Sequence, residues 1–144
     1  MARRSGPHTI QCYHCRHRFE VGGLTQSTAC PKCHRAVIVN DVIVKNLYGP
    51  LKEIRTCGKI EVRKRGRVIA ELIEAHEGID CTGVIDARKV ISGAPVMLGA
   101  RCKFKGDLEA PELEIKKGAQ IDGGKFAVPR DPLGLADLPR EDQG

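Results

Sequence analysis

The sequence predicts an all-β chain in which a small cysteine-based metal module precedes a three-sided β-solenoid. Four cysteines stand near the front as two C-x-x-C pairs. From Ile54 onward apolar residues recur every six positions, and no 3.6-residue pattern of useful length appears. The 144 residues include no Trp and only 3% aromatics, yet 41% are hydrophobic and 16 are Gly. A core built from Val, Ile, Leu and Ala suits stacked layers better than an aromatic-anchored globule. The length admits one ordinary domain, or a small module beside a modest one, and excludes a large multidomain enzyme.

The metal module is read from Cys12-Tyr13-His14-Cys15 and Cys30-Pro31-Lys32-Cys33, which the segment from Arg16 to Ala29 separates. Each tight turn brings two thiolates to one side of its loop, and two facing turns complete a closed tetrahedral sulfur cage of the kind Zn²⁺ favours. Thr9-Ile10-Gln11, Phe19-Glu20-Val21 and Ala36-Val37-Ile38-Val39 flank these turns as short strands, and Gly22-Gly23 supplies the bend. On these residues His8 to Val39 resembles the zinc-ribbon family, so residues 1–39 are read as a zinc-ribbon module with Cys12, Cys15, Cys30 and Cys33 as ligands. A redox dithiol needs one such pair, and a rubredoxin-type iron centre normally adds aromatic packing that is missing here, so Zn²⁺ is the expected ion and iron the lesser alternative. His14, His17 and His34 read as imidazoles beside the cage. Seven cysteines in all, an odd number, argue against a closed disulfide set. With Ile10, Phe19 and Val37 as nearly its only large apolar groups, the module depends on metal for folding. A closed cage has no open position for hydrolysis, so its expected role is structural, or as a docking surface for a protein or membrane partner.

The net charge of +6 is uneven. Residues 1–39 carry six Lys/Arg against Glu20 alone, residues 40–126 carry 16 against 13 acids, and residues 127–144 carry two against four. No apolar run approaches a membrane span, and no apolar stretch follows Met-Ala-Arg-Arg-Ser as in a signal peptide, so the expected location is cytoplasmic, with membrane association as an option. The densest cluster, Arg63-Lys64-Arg65-Gly66-Arg67, reads as a solvated turn.

In the repeat, one series runs Ile73, Ile79, Ile85, Ile91, Met97 and another Val84, Val90, Val96, Cys102, Leu108, with Ala75, Cys81, Ala87 and Gly93 in the same step. Strands of about four residues followed by corners, three sides to a coil of roughly 18 residues, account for it. Corners are expected at Gly66, Gly78, Gly83, Gly93, Gly99, Gly106, Gly118 and Gly123. Cys57, Cys81 and Cys102 read as small core residues and His76 as a surface histidine. Ala75 and Ala87 stand only two hexads apart where a whole coil needs three, which predicts a shortened or shifted coil near Glu77.

Gly106-Asp107-Leu108-Glu109-Ala110-Pro111-Glu112-Leu113-Glu114-Ile115-Lys116-Lys117-Gly118-Ala119-Gln120-Ile121-Asp122-Gly123 resembles a repeat of the bactofilin family of polymer-forming bacterial cytoskeletal proteins, and Gly83 to Ile91 is a partial second copy. The resemblance covers residues 40–126. It implies a right-handed β-helix that polymerises end to end without nucleotide, and a homopolymer as the first partner. The metal module stands where the family has a short flexible tail, and residues 127–144, with three prolines and little core material, read as a disordered C-terminal tail. A solenoid without polar caps exposes apolar cross-sections and unpaired backbone at its ends. The expected polymer interface is Val42 and Val44 at one end, and Leu113, Ile115, Ile121 and Phe126 at the other.

Two other functions are weighed. A nucleic-acid-binding zinc-ribbon protein is the alternative, resting on the basic front segment. A hexapeptide-type acyltransferase is the remote one, because that class favours Gly after the apolar position where this chain has Ile85, Ile91 and Met97. No catalytic or organic-cofactor residue is assigned, and the chain reads as a non-enzymatic scaffold.

Overall fold

The computed structural model of the chain describes residues 7–122, 124–130 and 133. Fifteen strands and no helix are found among them. The front segment forms two antiparallel hairpins, β1 (His8–Gln11) with β2 (Arg18–Val21) and β3 (Ser27–Ala29) with β4 (Ala36–Ile38). Every later pairing is parallel.

Strands β5 (Val42–Val44), β7 (Ile60–Val62), β9 (Ile79–Cys81), β11 (Val96–Leu98) and β13 (Leu113–Ile115) stack as one sheet. The second sheet is built from β6 (Leu47–Thr56), β8 (Arg67–Ala75), β10 (Val84–Ser92) and β12 (Lys103–Glu109), and its last layer is β14 (Gln120–Ile121) and β15 (Phe126–Ala127), both on β12. Each long strand bends midway and presents two sides, so a β-solenoid of three sides and about five turns results. A shift in pairing register between Asp86 and Lys89 marks that bend.

The core follows from alternation along each side. Ile54, Ile73, Val90 and Leu108 stack in one buried row, Val68, Ile85 and Phe104 in a second, and Ile60, Ile79 and Val96 in a third. In-register β-branched and aliphatic side chains fill so narrow an interior without needing aromatics.

The six-residue step is therefore real, but it does not hold at every corner. Inward positions run Ile73, Ile79 and Ile85, and then Val90 and Val96. The bend between Ile85 and Val90 is one residue shorter than the hexad, so Ile91 and Met97, which continue the first series in the sequence, turn outward and pair with Glu109 and Glu114. The coil near Glu77 is not shortened in the way Ala75 and Ala87 suggest. Ala75 pairs with Ser92 and Ala70 with Ala87, so Ala75 and Ala87 lie on different sides. Coils instead vary slightly in length: the step from Ile60 to its partner Ile79 is longer than that from Ile79 to Val96.

The expected glycines fall at corners, except that Gly123 lies outside the described residues. Gly83 shows why: a Cβ there would meet the carbonyl oxygens of Gly66 at 2.3 Å and Arg63 at 2.4 Å. Most of the expected tail also lies outside the described residues. Leu133, within it, is buried at 7% exposure, and its carbonyl accepts a hydrogen bond from Gln11 Nε2 at 3.2 Å, so this residue docks on the front module.

Candidate metal centre

Each C-x-x-C pair occupies the turn of one hairpin, and the two turns repeat the same local structure. Cys12 N–H donates to the His17 carbonyl at 2.8 Å and Arg16 N–H to the Cys12 carbonyl at 2.8 Å. In the second turn Cys30 N–H donates to Arg35 at 3.0 Å and His34 N–H to Cys30 at 2.8 Å. Arg16 and His34, one step past each pair, take left-handed φ values of 68° and 64°. That twist directs both sulfurs of a turn to one side.

The four sulfurs converge within 4.8 Å of one another. Cys12 Sγ stands 3.7 Å from Cys33 Sγ, and Cys15 Sγ 3.6 Å from Cys30 Sγ. Tetrahedral metal–sulfur bonds of about 2.3 Å set sulfurs about 3.8 Å apart, so the cage fits such an ion with little adjustment. Backbone N–H groups stabilise thiolate in advance: His14 N–H points at Cys12 Sγ (3.3 Å), and Lys32 and Cys33 N–H at Cys30 Sγ (3.4 and 3.5 Å). Burial acts to raise the Cys30 thiol, but these N–H donors and the neighbouring thiols outweigh it and bring it down to about 7. Cys15 moves the other way, to about 11. The His17 N–H acts to lower it, and burial with the three neighbouring thiols overrides that effect. A cation at the centre would offset the mutual crowding that raises Cys15. His14 Nε2–H donates to the Ala36 carbonyl at 3.1 Å, and His14, His17 and His34 stay outside the cluster.

The cage is fixed to the solenoid through Tyr13, the residue inside the first pair. Tyr13 Oη accepts from Ile38 N–H at 2.8 Å, and Arg55 donates to the Tyr13 carbonyl at 3.2 Å with its guanidinium 5.8 Å from the ring centroid. Arg55 also reaches Glu74, which bonds His76 at 2.9 Å, and the His76 ring meets Tyr13 edge-on at 6.2 Å. His76 is thus no surface residue: at 4% exposure it lies between the solenoid and the first metal turn. Cys57 belongs to the same seam. It packs with Ile10, Cys12 and Val37, and its thiol donates to the Gln11 carbonyl at 3.4 Å. Cys81 and Cys102 do lie in the solenoid core, 3.0 Å apart. Sequence reasoning missed the seam because Arg55, Glu74 and His76 share no motif and meet only across one coil.

At the solenoid ends the named residues differ. Val42, Leu113 and Phe126 are half-buried, Ile115 and Ile121 exposed, and Val44 buried against Val62 in the next layer. No strand among the described residues pairs with the outer edge of β5 or β6 at one end, or of β13, β14 or β15 at the other.

The architecture defines a class, a parallel β-solenoid with a cluster of four cysteines, spaced as a metal site requires, docked on its flank. Comparison with protein-family models, curated proteins and solved structures returns no match. No helix among the described residues is long and apolar enough to cross a membrane.

Proposed function

We propose that the chain is a non-enzymatic scaffold whose solenoids join end to end without nucleotide, and whose front module binds Zn²⁺ and serves as a rigid adaptor or anchor. The observation that carries this reading is the pair of open ends. Both terminal layers have backbone edges without a partner strand among the described residues, and exposed Tyr48 and Leu51 at one end and Ile115 and Ile121 at the other offer apolar surface to a second copy. Unpaired edges of regular parallel layers are templates for further pairing. The bactofilin-like segment from Gly106 to Gly123 supports the same reading. Four thiolates at tetrahedral spacing favour Zn²⁺ over harder cations.

The module's position bears on assembly. It lies against the flank through Tyr13, Arg55, Cys57 and His76, and Ile38 pairs with the corner at Cys57 through the Cys57 N–H at 2.9 Å. One corner of the first layer is covered, while the edges of β5 and most of β6 stay open. Gel filtration and negative-stain microscopy at micromolar protein should give filaments or larger assemblies, and Ile115→Lys with Ile121→Lys should shorten them. A monomer at every concentration and salt overturns the proposal.

A further inference from the structure

Five corners join the first sheet to the second, and they stack directly on one another. Arg63 N–H donates to Val44, Thr82 N–H to Val62, Gly99 N–H to Cys81 and Lys116 N–H to Leu98, at 2.7–2.9 Å. Two of these corners are short: Lys45-Asn46, and Thr82-Gly83. The other three run from Arg63 to Gly66, from Gly99 to Cys102 and from Lys116 to Ala119. They close as tight turns, with Gly66 N–H bonded to Arg63 O, Cys102 N–H to Gly99 O and Ala119 N–H to Lys116 O. The extra residues of these long corners project past the short ones. The tips are Lys64-Arg65, Ala100-Arg101 and Lys117-Gly118.

These corners gather charge that is scattered in the sequence. Lys45, Arg63, Lys64, Arg65, Arg67, Arg101, Lys103, Lys116 and Lys117 all lie on this edge of the column, and all are exposed. Arg63 is paired with Glu61 and Lys116 with Glu114. The other seven have no acidic partner among the described residues. Pairing is commoner on the remaining sides, where four of the seven cations of residues 40–126, Arg55, Lys59, Arg88 and Lys89, each face a carboxylate. The excess of three charges over residues 40–126 is therefore not spread evenly but concentrated as one ridge parallel to the axis. Layers repeat about every 4.8 Å, so the three tips span about 15 Å.

We infer that this ridge docks the protein on an anionic lipid surface. The shape selects that partner. A row of convex turn tips can touch a plane with every member at once, but it forms no groove to wrap a nucleic-acid strand, and no aromatic side chain on the three turns could stack on a base. Apolar neighbours agree, since Leu47 at 63% exposure and Ile43 at 45% flank Lys45 where the ridge begins. Cations beside acidic lipid each strengthen binding about fivefold, and seven uncompensated ones suffice without a membrane-crossing segment. The ridge lies on a different corner from the metal module, so docking leaves that module free, and a single copy carries the whole surface whether or not copies join.

The test uses the full metal-loaded chain and vesicles of phosphatidylcholine alone, or of phosphatidylcholine and phosphatidylserine mixed two to one, in co-sedimentation at low and at high salt. Binding to the mixed vesicles only, lost at high salt, is the expected result. The triple variant Lys64→Glu, Arg101→Glu, Lys117→Glu should bind about 100-fold more weakly. The variant Lys52→Glu, Arg88→Glu, Lys125→Glu makes the same change in net charge off the ridge and should keep most of the binding. Far-ultraviolet circular dichroism confirms that both variants fold. Equal loss in the two variants, or retention by the ridge variant because the metal module carries the contact, overturns the inference. So does ridge-dependent capture of a single-stranded oligonucleotide that is tighter than vesicle binding at the same salt.

Discussion

The metal module buries Ile10, Val21, Val37 and Val39 around four sulfurs, while the solenoid buries rows of Ile, Val, Leu and Ala that repeat layer after layer. Order in the first comes from one point where four cysteines meet. In the second it comes from a sum over neighbouring coils, each contacting only the next. Loss of one group should accordingly remove the module altogether, and should only weaken the column. The comparison is also reciprocal at the seam, where Tyr13 and Cys57 tie one region to the other.

The largest effect is expected at the cage. Cys30→Ser leaves three thiolates and removes the sulfur that two backbone N–H groups address, so stoichiometric metal should be lost and residues 8–39 should unfold. Metal analysis after gel filtration, with proteolysis of the front segment, reads both outcomes. The solenoid's β signal should survive. Full metal retention contradicts the assignment of these four cysteines.

Next is Ile79→Ala in the middle of a buried row, between Ile60 and Val96. It should cost about 2–5 kcal/mol by urea unfolding while metal content stays unchanged. A variant that also released the metal would mean that the two regions unfold as one.

How much of this could be read in advance differs between the regions. The cage was legible because its chemistry sits in short local motifs: Cys12, Cys15, Cys30 and Cys33 announce one another by spacing. The solenoid was legible as a six-residue rhythm, and Ile73, Ile79 and Ile85 do point inward. The rhythm could not reveal the shorter step at the bend near Arg88, because Val90 and Ile91 are both apolar and either could have continued a series. Nor could it show that Lys64, Arg101 and Lys117 share one edge, since they are distant in the chain and come together only once the long corners are counted. Cys57 is the buried core residue its sequence context predicts, but His76 is not the surface residue expected, because what covers it is not a coil but the module.

A smaller effect should follow from loosening that seam. Arg55→Ala removes the hydrogen bond to the Tyr13 carbonyl, the contact with the Tyr13 ring and the ion pair with Glu74, a carboxylate that is itself buried. A loss of about 1–3 kcal/mol is expected, together with faster metal release to a chelator, because the first turn loses its support. Unaltered release kinetics would show that the seam holds the module in place without steadying its cage.

The smallest effect is a dependence on pH, and it too lies at the seam. Burial of Cys57, assisted by the negative charge of neighbouring Cys12, Glu74 and Glu77, pushes its thiol up from an ordinary value of 9.0 to about 12. Between these values the unfolded chain loses the proton while the folded chain keeps it, so the unfolded state is favoured increasingly as pH rises. Stability should therefore be flat with respect to this group below pH 9 and fall above it, by at most about 1.4 kcal/mol per pH unit. Urea midpoints measured from pH 8 to 10.5 should decline more steeply for the native chain than for Cys57→Ala, even though the variant starts lower through lost packing. Parallel slopes would place Cys57 in contact with water, and with it the face that the module presents to the column.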